Sequence, residues 1–485
     1  MSTTSDEVHN ASPEGEDTGL KRVMGPKLLL LFIVGDILGT GVYALTGEVA
    51  GVVGGAAWAP FLLAFIVATI TAFSYLELVT RYPQAAGAAL YTHKAFGVHF
   101  LTFIVAFTVM CSGITSASTA SYAFADFMNT GFGLDFAAGG AALTGLALGF
   151  MLLVALVNFR GVSESVKTNV VLTMVELSGL LLVIFVGLYA VTQGNADFSR
   201  VVVFESSNDK SVFFALSAAT ALAFFAMVGF EDSVNMAEEC QDPARDFPKM
   251  MLTGLGVTGL IYILVSITAV ALVPVGDLTA EGADSALIQV VAAGAPDMPF
   301  DKIFPFIGMF AVANSALINM LMASRLLYGM SNAGVLPRPL GKVHKVRRTP
   351  WVSIIFTTLL AFGLIIYVVH ENASEAGASN IALLGGTTSL LLLCVFTVVN
   401  IALIVIRRHP ADHDHFKAPR VLPYFGAALC AFLAGPWARD VEQREQYTIG
   451  AYLLVIGVVL WVIAYLTTRN RTDDTVDRDL TSLKE

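Results

Sequence analysis

Four acidic side chains lie inside long apolar stretches of this chain, where carboxylates are rare. They are Asp36, Glu176, Glu231 and Asp232. A charged side chain at membrane depth costs at least about 2.5 kcal/mol, so it is usually retained where it pairs, binds a ligand or lines a pathway. These residues are suited to binding a ligand inside an apolar medium. We interpret Asp36, Glu231 and Asp232 as candidate pathway carboxylates, which would line the route of that ligand.

Glycines accompany the carboxylates at two places. Four glycines occur between residues 35 and 47, two of them in Gly39-Thr40-Gly41, and Gly229 directly precedes Phe230 and Glu231. Each glycine disfavours a helix by about 1 kcal/mol relative to alanine. Unwound backbone in a membrane must line a cavity or bind a ligand, because lipid offers no hydrogen bonds. Close helix packing through small residues is the alternative explanation of the glycines.

The two glycine-rich places suit one class of ligand. The N-terminus of a half-helix exposes N–H groups that attract an anion, whereas carbonyls at a C-terminus attract an ammonium group. An α-amino acid carries both groups at a fixed separation. Paired interruptions in matching halves of a membrane protein are also a sequence pointer to a transport site. The pattern therefore favours amino acids.

Composition defines the medium in which these helices lie. Of 485 residues, 56% are hydrophobic and 14% are charged, whereas soluble domains carry about 25% charged residues. The chain has too few polar residues to cover the surface of a soluble protein. We therefore predict that the lipid bilayer is its partner and contacts most of its surface. The net charge of −10 without a basic patch excludes a nucleic-acid partner.

Neither a metal site nor a catalytic site is predicted. The four cysteines include no CxxC pair, so we expect no metal site and no disulfide framework. The sequence contains no grouping of the kind that a membrane enzyme needs, such as HExxH. We therefore expect no cofactor and no enzymatic activity.

Twelve segments meet the length of about 20 apolar residues that a bilayer core requires, although the eleventh is short. They lie near 28–47, 57–82, 98–127, 137–158, 170–192, 211–236, 250–275, 303–331, 352–370, 381–406, 421–434 and 449–467. With the N-terminus inside, the predicted cytoplasmic segments hold 23 of the 28 lysines and arginines. This asymmetry predicts an even number of helices, with both termini in the cytoplasm.

The breaks divide the chain into two matching halves. Each break falls in the first helix of a five-helix unit, and because five is odd the second unit is inverted relative to the first. The predicted organisation is a disordered tail (1–24), a first repeat (25–200), a second repeat (201–410), helices 11 and 12 (411–468) and a C-terminal tail (469–485).

Several motifs in chain order resemble the amino acid–polyamine–organocation (APC) superfamily, and most closely the bacterial relatives of cationic amino acid transporters. The motifs are Gly39-Thr40-Gly41-Val42-Tyr43, Ser74-Tyr75-Leu76-Glu77-Leu78 with Arg81-Tyr82-Pro83-Gln84, Asp242-Pro243-Ala244-Arg245-Asp246-Phe247-Pro248, and Gly334-Val335-Leu336-Pro337 after Ser324-Arg325. The resemblance implies an all-α integral membrane protein of about 12 transmembrane helices. Its fold would be a LeuT-type 5+5 inverted repeat with helices 1 and 6 discontinuous, plus two peripheral helices.

The resemblance also implies roles for individual residues. Backbone around Gly39, Thr40 and Gly41 would hold the substrate carboxylate. Carbonyls around Phe225, Ala226 and Val228 would hold the amino group. Phe230 resembles an aromatic gate, although ordinary packing is its alternative, since the chain has 33 phenylalanines.

The fifth predicted helix departs from the family pattern. Proton-coupled members of the superfamily often carry a lysine there, whereas the matching stretch here is Thr173-Met174-Val175-Glu176-Leu177. A glutamate buried among apolar helices can bind and release a proton near neutral pH. Glu176 is therefore our candidate for proton coupling. Its alternative is a structural carboxylate satisfied by hydroxyls and backbone of helices 1 or 8.

These features together predict a secondary active transporter of amino acids, working by alternating access in the cytoplasmic membrane. It would be coupled to protons or act as an exchanger. A polyamine or other organic-amine transporter of the same fold, and an amino-acid sensor that does not transport, are the alternatives. Sequence leaves open the particular substrate, the coupling ion and the direction of transport.

Overall fold

The structure is a computed structural model. It describes residues 24–83, 87–137, 139–160, 165–205, 211–280, 285–332, 336–347, 349–372, 380–411, 413–439 and 442–468, so both predicted tails lie almost entirely outside the described residues. Within these ranges the secondary structure is helical, and the sole β pairing is an isolated bridge between Met24 and Cys240. The expectation of an all-α protein is confirmed.

Seventeen α-helices are described. In chain order they are α1 (Pro26–Leu38), α2 (Thr40–Val53), α3 (Trp58–Arg81), α4 (Gly87–Phe96), α5 (His99–Phe132), α6 (Ala141–Arg160), α7 (Ser165–Thr192), α8 (Val212–Ala223), α9 (Phe230–Ser233), α10 (Pro243–Leu272), α11 (Val275–Leu278), α12 (Ala286–Gly294), α13 (Phe300–Asn332), α14 (Trp351–Asn372), α15 (Asn380–Ile406), α16 (Leu422–Ala434) and α17 (Glu445–Thr468).

Eleven helical segments of the described chain are long and apolar enough to cross a membrane, with α1 and α2 together forming the first. Helix α16 is apolar but shorter, at 13 residues. The protein is thus a multi-pass membrane protein, and the number twelve stays a prediction because it depends on α16. Large apolar side chains remain exposed along α6, α7 and α17, as surfaces in contact with lipid require.

The core is built around two very long helices. Helix α5 packs along α13, and α15 packs beside α5. Helix α1 lies against α7 and α10, while α2 lies against α8. The two glycine-rich segments predicted from sequence lie beside α5 and α13, since residues of all four line one cavity.

A buried ion pair ties the C-terminal end of α3 to the residue that follows α15. Arg407 donates to both carboxylate oxygens of Glu77, at 2.8 and 2.5 Å. Glu77 also accepts the backbone N–H of Ala418 at 2.8 Å, and Arg407 donates to the carbonyl of Ala418 at 2.7 Å. Because hydrogen bonds surround both charges, the pair joins three segments that are distant in sequence.

We expect Glu77→Ala to lower thermal stability substantially, because it leaves the Arg407 guanidinium without its counter-charge. Removing one partner of a buried pair costs about 3–5 kcal/mol, and partial access to water places this pair at the lower end. Differential scanning fluorimetry of the purified protein measures the effect. Asp197→Asn is the matched control, since the pair of Asp197 with Arg200 is exposed and contributes little. Equal melting temperatures for both variants would contradict the assignment.

Candidate functional site

The first helix interruption lies at Gly39. Helix α1 ends at Leu38, and α2 begins at Thr40 after Gly39 turns the backbone to φ −33° and ψ −139°. The N–H of Thr40 then donates to the side-chain oxygen of Ser315 on α13, at 3.1 Å. The first N–H of the second half-helix is therefore bound by a side chain that lies 275 residues further along the chain.

The second interruption lies at Val228 and Gly229. A 3₁₀ turn over Phe224–Met227 is followed by an extended Val228 and by Gly229 at φ 121°, after which α9 begins. A φ of this value strongly favours glycine. The N–H of Gly229 donates to a carboxylate oxygen of Glu231 at 2.8 Å, so Glu231 holds the turn on which it lies.

The two interruptions touch each other, and glycine makes the contact possible. A Cβ atom added to Gly41 would lie 2.3 Å from the Cα of Ala226, and one added to Gly229 would lie 2.8 Å from the carbonyl of Asp36. Both distances are far below van der Waals contact. The close approach therefore requires a residue without a side chain at each position.

A small cavity lies where the interruptions meet. It is lined by Asp36, Ile37, Thr40, Gly41, Ser116, Phe225, Val228, Gly229, Asp232, Ser315 and Asn319. Its volume is about 20 Å³, which is room for about one water molecule. In this conformation the cavity is too tight for an amino acid.

The structure brings most of the predicted site residues to this cavity. Of the backbone groups, Thr40, Gly41, Phe225 and Val228 line it, whereas Gly39 and Ala226 lie in the interruptions without lining it. Of the pathway carboxylates, Asp36 and Asp232 line it and Glu231 does not. The roles of all these residues stay predictions.

The lining is rich in oxygen atoms and includes two carboxyl groups. Asp36 and Asp232 are its two acidic members, and the lining contains no lysine, arginine or histidine. Asp36 is 7% exposed, and its Oδ2 has no hydrogen-bond partner among the described residues. A buried carboxylate oxygen without a partner is costly, so this atom is available to a positively charged ligand group.

Three polar residues of the lining were not identified from sequence. Ser116 comes from α5, while Ser315 and Asn319 come from one face of α13, four residues apart. The spacing of Ser315 and Asn319 was the available signal, since residues four apart share a helix face. This signal was weak because α5 and α13 both contain many other small polar residues.

Phe230 lies outside the cavity lining. Its ring packs against Tyr75 at 5.7 Å and Phe396 at 5.3 Å between centroids, and it is fully buried. This aromatic cluster matches the packing alternative for Phe230. The cluster adjoins the second interruption, so a gating role stays a prediction.

Glu176 is also buried outside the cavity lining. Both of its carboxyl oxygens lack a hydrogen-bond partner within the part of the chain that the structure describes, and the nearby Thr173 hydroxyl also lacks one. Asn314 on α13 is the polar side chain that interacts with the carboxyl group. Both the coupling role of Glu176 and its structural alternative stay predictions.

The described residues include no group of three or more histidine, cysteine and acidic side chains that could hold a metal ion. None of the four cysteines, all of which lie among the described residues, forms a disulfide bond.

Comparison with known proteins matches the chain over most of its length. A family model described as amino acid permease matches residues 26–463. The methylthioribose transporter of Bacillus subtilis is 28% identical, covering 87% of this chain and 90% of that protein. The branched-chain amino acid permease BcaP of the same organism is 26% identical, covering 93% and 95%. Cationic amino acid transporter 9 of Arabidopsis thaliana is 30% identical, covering 68% and 60%.

Proposed function

The chain belongs to the amino acid permease family of the APC superfamily, and from that premise we propose that it is a secondary active transporter of amino acids. It would work by alternating access in the cytoplasmic membrane, with both termini in the cytoplasm. The observation that carries the proposal is the contact of two interrupted helices around one polar cavity, at Gly41–Ala226 and at Gly229–Asp36.

The geometry supports a definite placement of the substrate. Its carboxylate would lie at the start of α2, near Gly39, Thr40 and Gly41, where the helix dipole is positive. Its amino group would lie at the carbonyls of the second interruption, near Phe225, Ala226 and Val228. The cavity must widen to admit the substrate, as a conformational cycle between outward and inward openings would provide.

The carboxylates favour a positively charged substrate. A zwitterion brings no net charge, whereas lysine or arginine brings a net charge of +1 and can therefore offset the charge of one of the two carboxylates, Asp36 or Asp232. Relatives named as cationic amino acid transporters agree with such a substrate, while BcaP is named for branched-chain amino acids. Polyamines are the second candidate class because the same two carboxylates suit them.

A thermal-shift screen tests the ligand class directly. A ligand at 100 times its dissociation constant stabilises a protein by about 2.7 kcal/mol. We expect L-lysine or L-arginine to raise the melting temperature of the purified protein, with L-leucine and mannitol as controls that leave it unchanged. A shift with putrescine alone would support the organic-amine alternative, and a shift with L-leucine alone would contradict a cationic substrate.

We propose that Glu176 couples transport to protons. It is fully buried, the neutral side chain of Asn314 interacts with its carboxyl group, and α7 packs against α1. An ionised glutamate there would be costly without a positively charged partner, whereas a proton makes the side chain neutral. Movement of α1 during transport could therefore change the environment of this carboxyl group and release its proton.

Glu176→Gln is expected to remove the stimulation of L-lysine uptake by an inward proton gradient while it preserves exchange of L-lysine across the membrane. Glutamine is isosteric and remains neutral at every pH. Uptake into proteoliposomes, with and without an external pH one unit lower, measures the effect. Glu205→Gln is the matched control because Glu205 is exposed in a loop. Unaltered gradient dependence in Glu176→Gln would rule out the coupling role.

A further inference from the structure

Ser315 joins the first helix interruption to α13. Its oxygen accepts the N–H of Thr40 at 3.1 Å, its side chain is 4% exposed, and it lines the cavity. A Cβ atom added to Gly39 would lie 1.7 Å from this oxygen, so the hydroxyl fills the space beside the glycine. Ser315 is therefore held against the N-terminus of α2, where the substrate carboxylate is proposed to bind.

The hydroxyl proton of Ser315 has no acceptor among the described contacts. A serine hydroxyl can both accept and donate a hydrogen bond, and here the oxygen of Ser315 accepts the N–H of Thr40. Ser324, on the same helix, instead donates to the carbonyl of Leu321 at 2.9 Å, which is a common use of a serine proton in a helix. The proton of Ser315 is thus available to a ligand in the cavity.

A second hydroxyl group at the same place also lacks an acceptor for its proton. The Oγ1 atom of Thr40 is buried without a hydrogen bond in the part of the chain that the structure describes, and Thr40 lines the cavity with 2% of its surface exposed. Two hydroxyl donors therefore converge on the positive end of a 14-residue helix. Hydroxyl donors at a helix N-terminus form a binding site for a carboxylate.

We propose that Ser315 is a specificity-determining residue that binds the carboxylate of the substrate through its hydroxyl proton while its oxygen caps α2. The proposal rests on the proposed amino-acid transport and deepens it. Its consequence is selectivity for substrates that carry a carboxylate. Amines of the same shape that lack a carboxylate leave the hydroxyls of Ser315 and Thr40 without an acceptor, and buried polar groups left unpaired discriminate strongly.

The test compares L-lysine with L-lysinamide, which retains both amino groups but replaces the carboxylate with a neutral amide. Competition against labelled L-lysine uptake in proteoliposomes gives the apparent affinity of each compound. For Ser315→Ala we expect an affinity for L-lysine about 10- to 100-fold lower, because a hydrogen bond to a charged group is lost. The affinity for L-lysinamide should change less than about 3-fold, because a neutral amide accepts a weaker hydrogen bond.

Two further variants distinguish a loss of substrate binding from a loss of folding. Ser324→Ala removes a buried serine from the same helix away from the cavity, and it should leave both affinities unchanged. Ser315→Cys retains a weak donor of similar size, so it should lose less affinity for L-lysine than Ser315→Ala does. Melting temperatures of the purified variants establish that each is folded.

Equal losses for L-lysine and L-lysinamide in Ser315→Ala and Ser315→Cys would show that Ser315 only supports the helix, which overturns the proposal. Unchanged affinities would overturn it as well. Both results leave the proposed transport function intact, because wild-type uptake of L-lysine is measured in the same experiment. If the wild-type protein takes up no amino acid, the proposed function fails first.

Discussion

Gly41→Ala is expected to abolish amino-acid uptake, lowering the rate by about 100-fold or more. The added methyl group would lie 2.3 Å from the Cα and 3.0 Å from the backbone nitrogen of Ala226, and a backbone cannot rotate out of the way as a side chain can. The two interruptions would have to separate by about 1 Å. A misplacement of that size in a positioned site can reduce function by about 100-fold.

The matched control for this variant is Gly256→Ala. Gly256 lies inside α10, and a Cβ atom added there meets no atom within 4 Å. Alanine is a better helix former than glycine by about 1 kcal/mol, so this variant should be at least as stable as the wild type and should retain uptake. Equal uptake by Gly41→Ala and Gly256→Ala would show that contact between the interruptions is not required for transport.

Asp36→Asn is expected to weaken the binding of L-lysine and of L-lysinamide to a similar extent, by about 10- to 100-fold. Both compounds carry the ammonium groups that the unpartnered Oδ2 atom would bind, and a hydrogen bond between charged groups contributes about 1.5–3 kcal/mol. The result differs in kind from that of Ser315→Ala, which should weaken the binding of L-lysine much more than that of L-lysinamide. Together the two variants separate recognition of the amino groups from recognition of the carboxylate.

Competition for uptake in proteoliposomes measures both affinities for Asp36→Asn. Asp297→Asn is the control, because Asp297 is exposed and lies between α12 and α13. It removes the same charge from the chain without touching the cavity. If Asp36→Asn binds both compounds as the wild type does, then Asp36 does not contact the substrate, and the case for a cationic substrate loses its main structural support.

The helix interruptions could be predicted from sequence because their cause is local. Glycine disfavours a helix wherever it occurs, and Gly39-Thr40-Gly41 and Gly229 stand out in an otherwise apolar helical pattern. The all-helical membrane fold was predictable for the same reason, since hydropathy is a property of each segment. The family model matches residues 26–463, in agreement with sequence motifs that are spread along the chain.

Contacts between distant segments could not be predicted in this way. Glu77 and Arg407 are 330 residues apart, and the motif that contains Glu77 does not identify Arg407 as its partner. Ser315 and Thr40 are separated by 275 residues, and the spacing of Ser315 and Asn319 on α13 does not indicate that Thr40 is the partner of Ser315. Such pairs depend on which helix faces meet, and in uniformly apolar helices the hydrophobic pattern does not specify those faces.

Glu231 and Asp232 illustrate the limit most clearly. They are adjacent and chemically alike, so sequence gave no reason to assign them different roles. The positive φ of Gly229 turns its N–H toward Glu231, which accepts that hydrogen bond, while Asp232 lines the cavity. Only the backbone conformation at the interruption separates the two residues.

Counterflow in proteoliposomes tests the central claim most directly. Vesicles that contain the purified protein are loaded with unlabelled L-lysine and diluted into labelled L-lysine. A transporter that alternates between two openings accumulates label transiently, whereas a channel or a sensor does not. We predict saturable accumulation by the wild type and by Gly256→Ala, and none by Gly41→Ala. Absence of accumulation by the wild type with any amino acid, or conductance that does not saturate with concentration, would contradict amino-acid transport at the paired interruptions.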